Sequence, residues 1–188
     1  MNAILEAALE IQAFCTAQGW RFCFIGGIAV QHWGEPRLTR DVDVTVLTGF
    51  GGEAEFVDRV LTAFSPRRAD AREFAIRNRV LLISSASGVP LDLSLGAMPF
   101  EEHAVARARP VRISPGTELL ICTAEDLIVF KAFAGRDTDW ADIRSIVARR
   151  GGALDRPLIF GELEPLLELK EAPENGDRLR AMLDAVGR

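Results

Sequence analysis

Phe24-Ile25-Gly26-Gly27-Ile28-Ala29, followed at Arg40-Asp41-Val42-Asp43-Val44-Thr45-Val46 by carboxylates alternating with valine, decides how this chain is read. Side chains on a strand repeat every second residue, so Val42, Val44 and Val46 face a core while Asp41, Asp43 and Thr45 share the opposite face. Two anions held side by side repel unless one is protonated or a cation lies between them, so the pair is either a metal site or a costly surface feature. The preceding glycines favour the metal site. A strand, two glycines, a short helix and a strand with paired acids set backbone N–H groups beside a divalent cation, and a phosphate needs both.

Further along, Arg79–Ser84 and Val89–Leu95 read as a hairpin about the turn Ser85-Ala86-Ser87-Gly88. Asp92 stands alone in its second arm, among Leu91, Leu93 and Leu95. By itself it is a polar residue on the open face of an edge hairpin. With Asp41 and Asp43 it completes a triad able to hold two magnesium ions, in which Asp92 is placed to accept a proton from a hydroxyl.

Around these segments the apolar spacing predicts helices over Asn2–Ala17, Ile28–Trp33 and Glu53–Phe64, and strands over Arg21–Ile25, Asp41–Leu47 and Pro110–Ile113. The turn Gly49-Phe50-Gly51-Gly52 lacks the residues of a phosphate loop and reads as a flexible linker. Thr123-Ala124-Glu125-Asp126 resembles a capping box that opens a helix to Ala134, which Gly135 ends. Thr138–Arg150, Leu158–Lys170 and Asp177–Val186 follow as helices, the last two separated by Ala172-Pro173-Glu174-Asn175-Gly176. The expected fold class is therefore α/β (α+β), a mixed β-sheet flanked by helices over residues 1–118 and a helical C-terminal region over 119–188.

The 188 residues are 48% hydrophobic and 26% charged, enough for a sizeable core and ordinary for a globular protein. No apolar run approaches the roughly 20 residues of a membrane span, and the N-terminus lacks a leader pattern, so a cytoplasmic protein with no membrane partner is expected. Cys15, Cys23 and Cys122 have no metal-site or disulfide spacing and read as reduced, buried residues. His32 and His103 have no partner at ligand spacing, and Trp20, Trp33 and Trp140 read as core. The net charge of -5 argues against coating nucleic acid, although Arg67, Arg68, Arg72, Arg77 and Arg79 form one basic stretch and Arg107, Arg109 and Arg112 another. Lysine occurs only at 131 and 170.

Gly26-Gly27, then Arg37-x-Thr39-x-Asp41-x-Asp43, then Leu91-Asp92-Leu93 resembles the nucleotidyltransferase fold of the DNA polymerase β superfamily. The Arg-x-Thr-x-Asp-x-Asp wording, with Glu125-Asp126-Leu127, Lys131, Arg136, Asp139 and Asp142, is similar to its AbiEii-type toxin branch. The resemblance covers roughly residues 20 to 150. It implies a nucleotidyltransferase that moves a nucleoside monophosphate from an NTP to an acceptor hydroxyl, on an RNA or tRNA end, a protein or a small molecule. Asp41, Asp43 and Asp92 would ligate two Mg2+ ions, with Mn2+ as an alternative. Gly26, Gly27 and Arg40 would bind the nucleotide, Lys131 one of its phosphates, and Asp139 and Asp142 would position Lys131 or the nucleotide. Lys131 sits in an apolar helix, where an ammonium needs an anion or a route to solvent. A cognate antitoxin is the implied protein partner. From the residues alone, a nucleotide- or protein-binding member of the fold without turnover, such as an antitoxin, is the alternative.

Overall fold

The computed structural model describes residues 3–186, so Asn2, expected to open the first helix, lies outside the described residues. The chain divides into two compact units, Met1–Ile28 with Leu38–Cys122, and Ala29–Arg37 with Thr123–Arg188.

In the first unit, chain order is α1 (Ala3–Ala17), β1 (Phe22–Phe24), the start of α2 (Gly26–Trp33), β2 (Val42–Leu47), α3 (Glu53–Leu61), β3 (Ser65–Pro66) and α4 (Ala71–Asn78). The hairpin β4 (Val80–Ser84) and β5 (Pro90–Gly96) follows, then α5 (Pro99–Arg107), β6 (Arg109–Ser114) and β7 (Thr117–Ile121). The strands form one seven-stranded sheet in the order β3-β4-β5-β2-β1-β7-β6. It is mixed: β2 runs parallel to β5 and β1 parallel to β7, while the other neighbours are antiparallel.

The valine alternation behaves as the sequence predicts. Val42, Val44 and Val46 are fully buried, as are Leu91 and Leu93 in β5, with Leu95 nearly so. Burying each such side chain is worth about 1.5–3 kcal/mol. A one-residue slip of β2 would exchange these valines for Asp43 and Thr45, so the core locks the register on which the acids depend. Thr45, expected on the open face with the acids, is instead fully buried with an unpaired hydroxyl. Burial along that side of β2 therefore changes between Asp43, which is partly exposed, and Thr45 two residues on.

The second unit carries α6 (Ala124–Ala134), α7 (Asp137–Arg150), a 3-10 turn at Gly151–Ala153, α8 (Arg156–Lys170) and α9 (Pro173–Val186). The predicted start of α6 is present: the Asp126 N–H donates to Thr123 Oγ1 at 3.1 Å. Trp140 is wholly buried and donates its indole N–H to the Gly135 carbonyl at 3.0 Å.

Several elements differ from the sequence reading. β3, α4, α5 and β7 were not predicted, and Thr117–Ile121 is a sheet strand at the point where helices were expected. Gly26 and Gly27 form the first turn of α2 and do not stand ahead of it. Pro173 begins α9, so Asn175 and Gly176 lie inside a helix and not in a connection. Proline suits a first helical turn, where its missing N–H has no intrahelical partner to lose.

Candidate active site

Parallel pairing of β2 with β5 sets Asp43 directly beside Asp92. Paired residues on neighbouring strands point to the same face about 5 Å apart, and Asp41, two residues before Asp43, joins them. Carboxylate oxygens of Asp41, Asp43 and Asp92 all lie within 4.8 Å of one another, and each residue is partly exposed. An all-oxygen, all-anionic donor set at this spacing fits a hard divalent cation. Burial pushes the Asp92 carboxyl above its ordinary range; Arg67 opposes the shift and the negative charge of Asp41 adds to it.

The glycines are packed against these acids. Gly26 has φ +54°, and a Cβ there would lie 1.9 Å from Asp43 Oδ2. The Gly27 N–H is aimed at the same oxygen, at 3.4 Å. A Cβ on Gly27 would lie 2.2 Å from Thr39 Oγ1, whose hydroxyl donates to Asp41 Oδ1 at 3.1 Å. Each glycine thus leaves room for one arm of the acid pair, Gly26 for Asp43 and Gly27 for the threonine that holds Asp41. Arg40 is exposed immediately before Asp41.

Lys131, Asp139 and Asp142 come together within the second unit. Lys131 Nζ lies 2.6 Å from Asp142 Oδ2 and 3.3 Å from Asp139 Oδ1, and all three side chains are more than nine-tenths buried. Arg37 clamps Asp142 with two bonds, Nε to Oδ1 at 2.7 Å and Nη2 to Oδ2 at 2.8 Å. Arg136 Nε donates to Asp139 Oδ2 at 2.7 Å. Burial raises the Asp142 carboxyl, but hydrogen bonds and charge from Arg37 and Lys131 outweigh it and leave the group below the usual carboxylate range.

A carboxyl held low in the folded state stabilises the fold above the ordinary carboxylate pKa, and that contribution is lost as pH falls through the folded value. Asp142→Asn is therefore expected to cost about 3 kcal/mol at pH 7, because it leaves the buried Lys131 ammonium short of a counter-charge. The gap from the parent narrows in urea unfolding as pH drops below about 4, where the unfolded chain begins to bind the proton that the folded Asp142 carboxylate still refuses. A gap that stays constant to pH 3 rules this account out.

The sequence reading gave no role to Arg67, Thr39 or Arg37. Most of the first basic stretch is taken up within the protein: Arg67 pairs with Asp92, Arg68 with Asp70, Arg72 with Asp58 and Arg79 with Glu53. All three cysteines are buried, and burial pushes the Cys15 thiol up to about 12, so it is no nucleophile. Among the described residues, no helix is long and apolar enough to cross a membrane.

No protein-family model matches the chain, and no curated protein matches it in sequence. Solved structures do match in fold. An antigenic nucleotidyltransferase-like protein from Paracoccidioides brasiliensis aligns with TM-score 0.58 and 16% identity over 97% of this chain and 93% of its own. The antibiotic-resistance factor ANT(2'')-Ia aligns with TM-score 0.54 and 13% identity over 93% and 96%. The lincosamide antibiotic adenylyltransferase LnuA, solved with lincomycin, aligns with TM-score 0.50 and 10% identity over 75% and 94%. The chain has a nucleotidyltransferase-like fold: a mixed sheet flanked by helices, with a helical C-terminal half.

Proposed function

We propose that this chain is a metal-dependent nucleotidyltransferase that transfers a nucleoside monophosphate from an NTP to an acceptor hydroxyl. The observation that carries the reading is the cluster of Asp41, Asp43 and Asp92 against the glycine-led start of α2, on a nucleotidyltransferase-like sheet. Divalent cations held by the three carboxylates would neutralise triphosphate charge and lower the cost of charge build-up in transfer.

The chain's own residues do the rest. The acceptor oxygen attacks the α-phosphorus, the bond from the α-phosphorus to the β-phosphate oxygen breaks, and pyrophosphate leaves. The hydroxyl proton passes to Asp92, which stands beside Asp43 on the neighbouring strand. Gly26 and Gly27 offer a side-chain-free approach for phosphate at a helix start. Lys131 takes a nucleotide phosphate in this reading, and its ion pairs to Asp139 and Asp142 hold the ammonium in one place. We place the end of the sheet-bearing core at Cys122, after β7, and the helical region beyond it, with Mg2+ as the working ion.

Arg37, Lys131, Asp139 and Asp142 carry the AbiEii-type wording and are bonded to one another, which supports that toxin branch as part of the proposal. Calorimetric titration with Mn2+ and each NTP, followed by pyrophosphate release over RNA, protein and small-alcohol acceptors, tests the reading. Metal-dependent release with one acceptor class is the expected result. Nucleotide binding with no release over the whole panel would instead identify a binding member of the fold without turnover.

A further inference from the structure

Of the four arginine pairs in the first basic stretch, only that of Arg67 ends on an acid of the metal cluster. Arg67 follows β3 directly, and its N–H donates to the Leu82 carbonyl at 3.0 Å, which fixes it at the edge of the sheet. Leu82 is in register with Asp92, so the arginine side chain reaches past β4 to the carboxylate on β5. The Arg67 and Asp92 side chains are 30% and 32% exposed, so the pair is open on its outer side. A guanidinium has five N–H donors in a planar fork, more than one carboxylate oxygen can use. Val80, Leu82 and Ser94, on the same sheet face as Asp92, are also partly exposed. The approach to Asp92 is thus a shallow apolar strip with a cation at its edge.

In the nucleotidyltransferase reading, on which this inference rests, Asp92 faces the reacting hydroxyl. Whatever touches Asp92 then stands where the acceptor arrives. Arg67 Nη2 donates to Asp92 Oδ1, and the guanidinium has further N–H donors with which to meet an anion of the acceptor on the open side of the pair. A guanidinium fork matches phosphate oxygens in pairs, whereas it repels an amine. We propose that Arg67 reads the acceptor by binding a phosphate that flanks the attacking hydroxyl, so that the acceptor is a phosphate-bearing sugar or polyol and not a polyamine.

The test compares the parent with Arg67→Gln and Arg67→Lys in equilibrium binding, with Ca2+ and a non-hydrolysable NTP present. Three probes are used: a short RNA with a free 3′-hydroxyl, glycerol phosphate, and a polyamine aminoglycoside. The parent is expected to bind one or both phosphate probes and the polyamine more weakly, and which phosphate probe binds separates a nucleic-acid end from a small phosphorylated alcohol. Arg67→Gln loses at least about tenfold in affinity for the bound phosphate probe, as expected for one charge-assisted pair. Arg67→Lys recovers part of the loss, and with RNA the salt slope of Arg67→Gln falls by about one contact. Mn2+ binding, read separately by electron paramagnetic resonance, is equal or tighter in Arg67→Gln because a competing cation has gone.

Unchanged phosphate affinity in Arg67→Gln overturns the proposal, as does tighter binding of the polyamine by the parent. Weaker Mn2+ binding in Arg67→Gln also overturns it, by showing that the arginine only holds Asp92 in place. A parent that binds no Mn2+ removes the nucleotidyltransferase reading itself, and this inference with it.

Discussion

Asp43→Asn is expected to abolish measurable Mn2+ binding and to lower NTP-dependent pyrophosphate release at least about a thousand-fold, the size of effect that several kcal/mol of lost charge stabilisation produces. Asp43 lies between the other two acids, in direct register with Asp92 and two residues from Asp41. No substitution at either flank removes both neighbour relations at once. The amide keeps the shape of the carboxylate and an oxygen for the Gly27 N–H, so packing is unchanged. Removing one of three clustered negative charges also relieves repulsion in the metal-free protein. The thermal midpoint of Asp43→Asn without metal should therefore equal or exceed that of the parent, while only the parent gains stability on adding Mn2+. Release that survives within tenfold would sink the metal-site assignment; a lowered midpoint would show that the acids serve the fold.

The reading of Asp41, Asp43 and Asp92 from sequence rested on local alternation and on one lone acid among leucines, both of which are written in short windows. What brings them together is the parallel pairing of β2 with β5, a contact between segments about fifty residues apart that no local window contains. The same limit explains Arg67. In the sequence it is one of five arginines in a basic stretch, and only β3 beside β4 and the in-register Asp92 single it out. Missed elements have other causes. α5 did announce itself: Pro99 stands at the helix start, and the Glu101 carboxylate accepts the Ala97 and Met98 N–H groups at 2.8 and 2.9 Å. Proline followed two residues later by glutamate is a helix-start pattern that the apolar spacing hides. β7 is short and borders β1 and β6, so its strand identity comes from its neighbours. Lys131 stood out in the sequence as an ammonium among apolar residues, and its anions were named there only through a resemblance. The structure adds Arg37, about a hundred residues earlier in the chain, as an exposed arginine bonded to the buried Asp142.

Gly26→Ala is expected to remove metal binding as thoroughly as loss of the carboxylate does, by a different route. Position 26 has φ +54°, a conformation that costs a residue with a Cβ about 1 kcal/mol. The larger effect is steric. The new methyl would fall 1.9 Å from Asp43 Oδ2, 2.4 Å from its Cγ and 2.7 Å from its Cβ, so Asp43 cannot escape by turning its carboxylate alone. Either Asp43 leaves the register of Asp92 or the first turn of α2 moves off the sheet. Both separate ligands that now lie within 4.8 Å, and even displacement of a supporting group costs metal sites ten- to a hundred-fold in affinity. Gly26→Ala should thus lower both Mn2+ affinity and stability, the latter by about 2–3 kcal/mol in urea unfolding. Asp43→Asn lowers only the first. In Gly26→Ala/Asp43→Ala the clash at Cγ and Oδ2 is gone and only the 2.7 Å approach to Cβ remains, so part of the stability should return, with no return of metal binding. A double variant as unstable as Gly26→Ala alone would mean that the glycine is required by the backbone at the head of α2, and not by the carboxylate that packs against it.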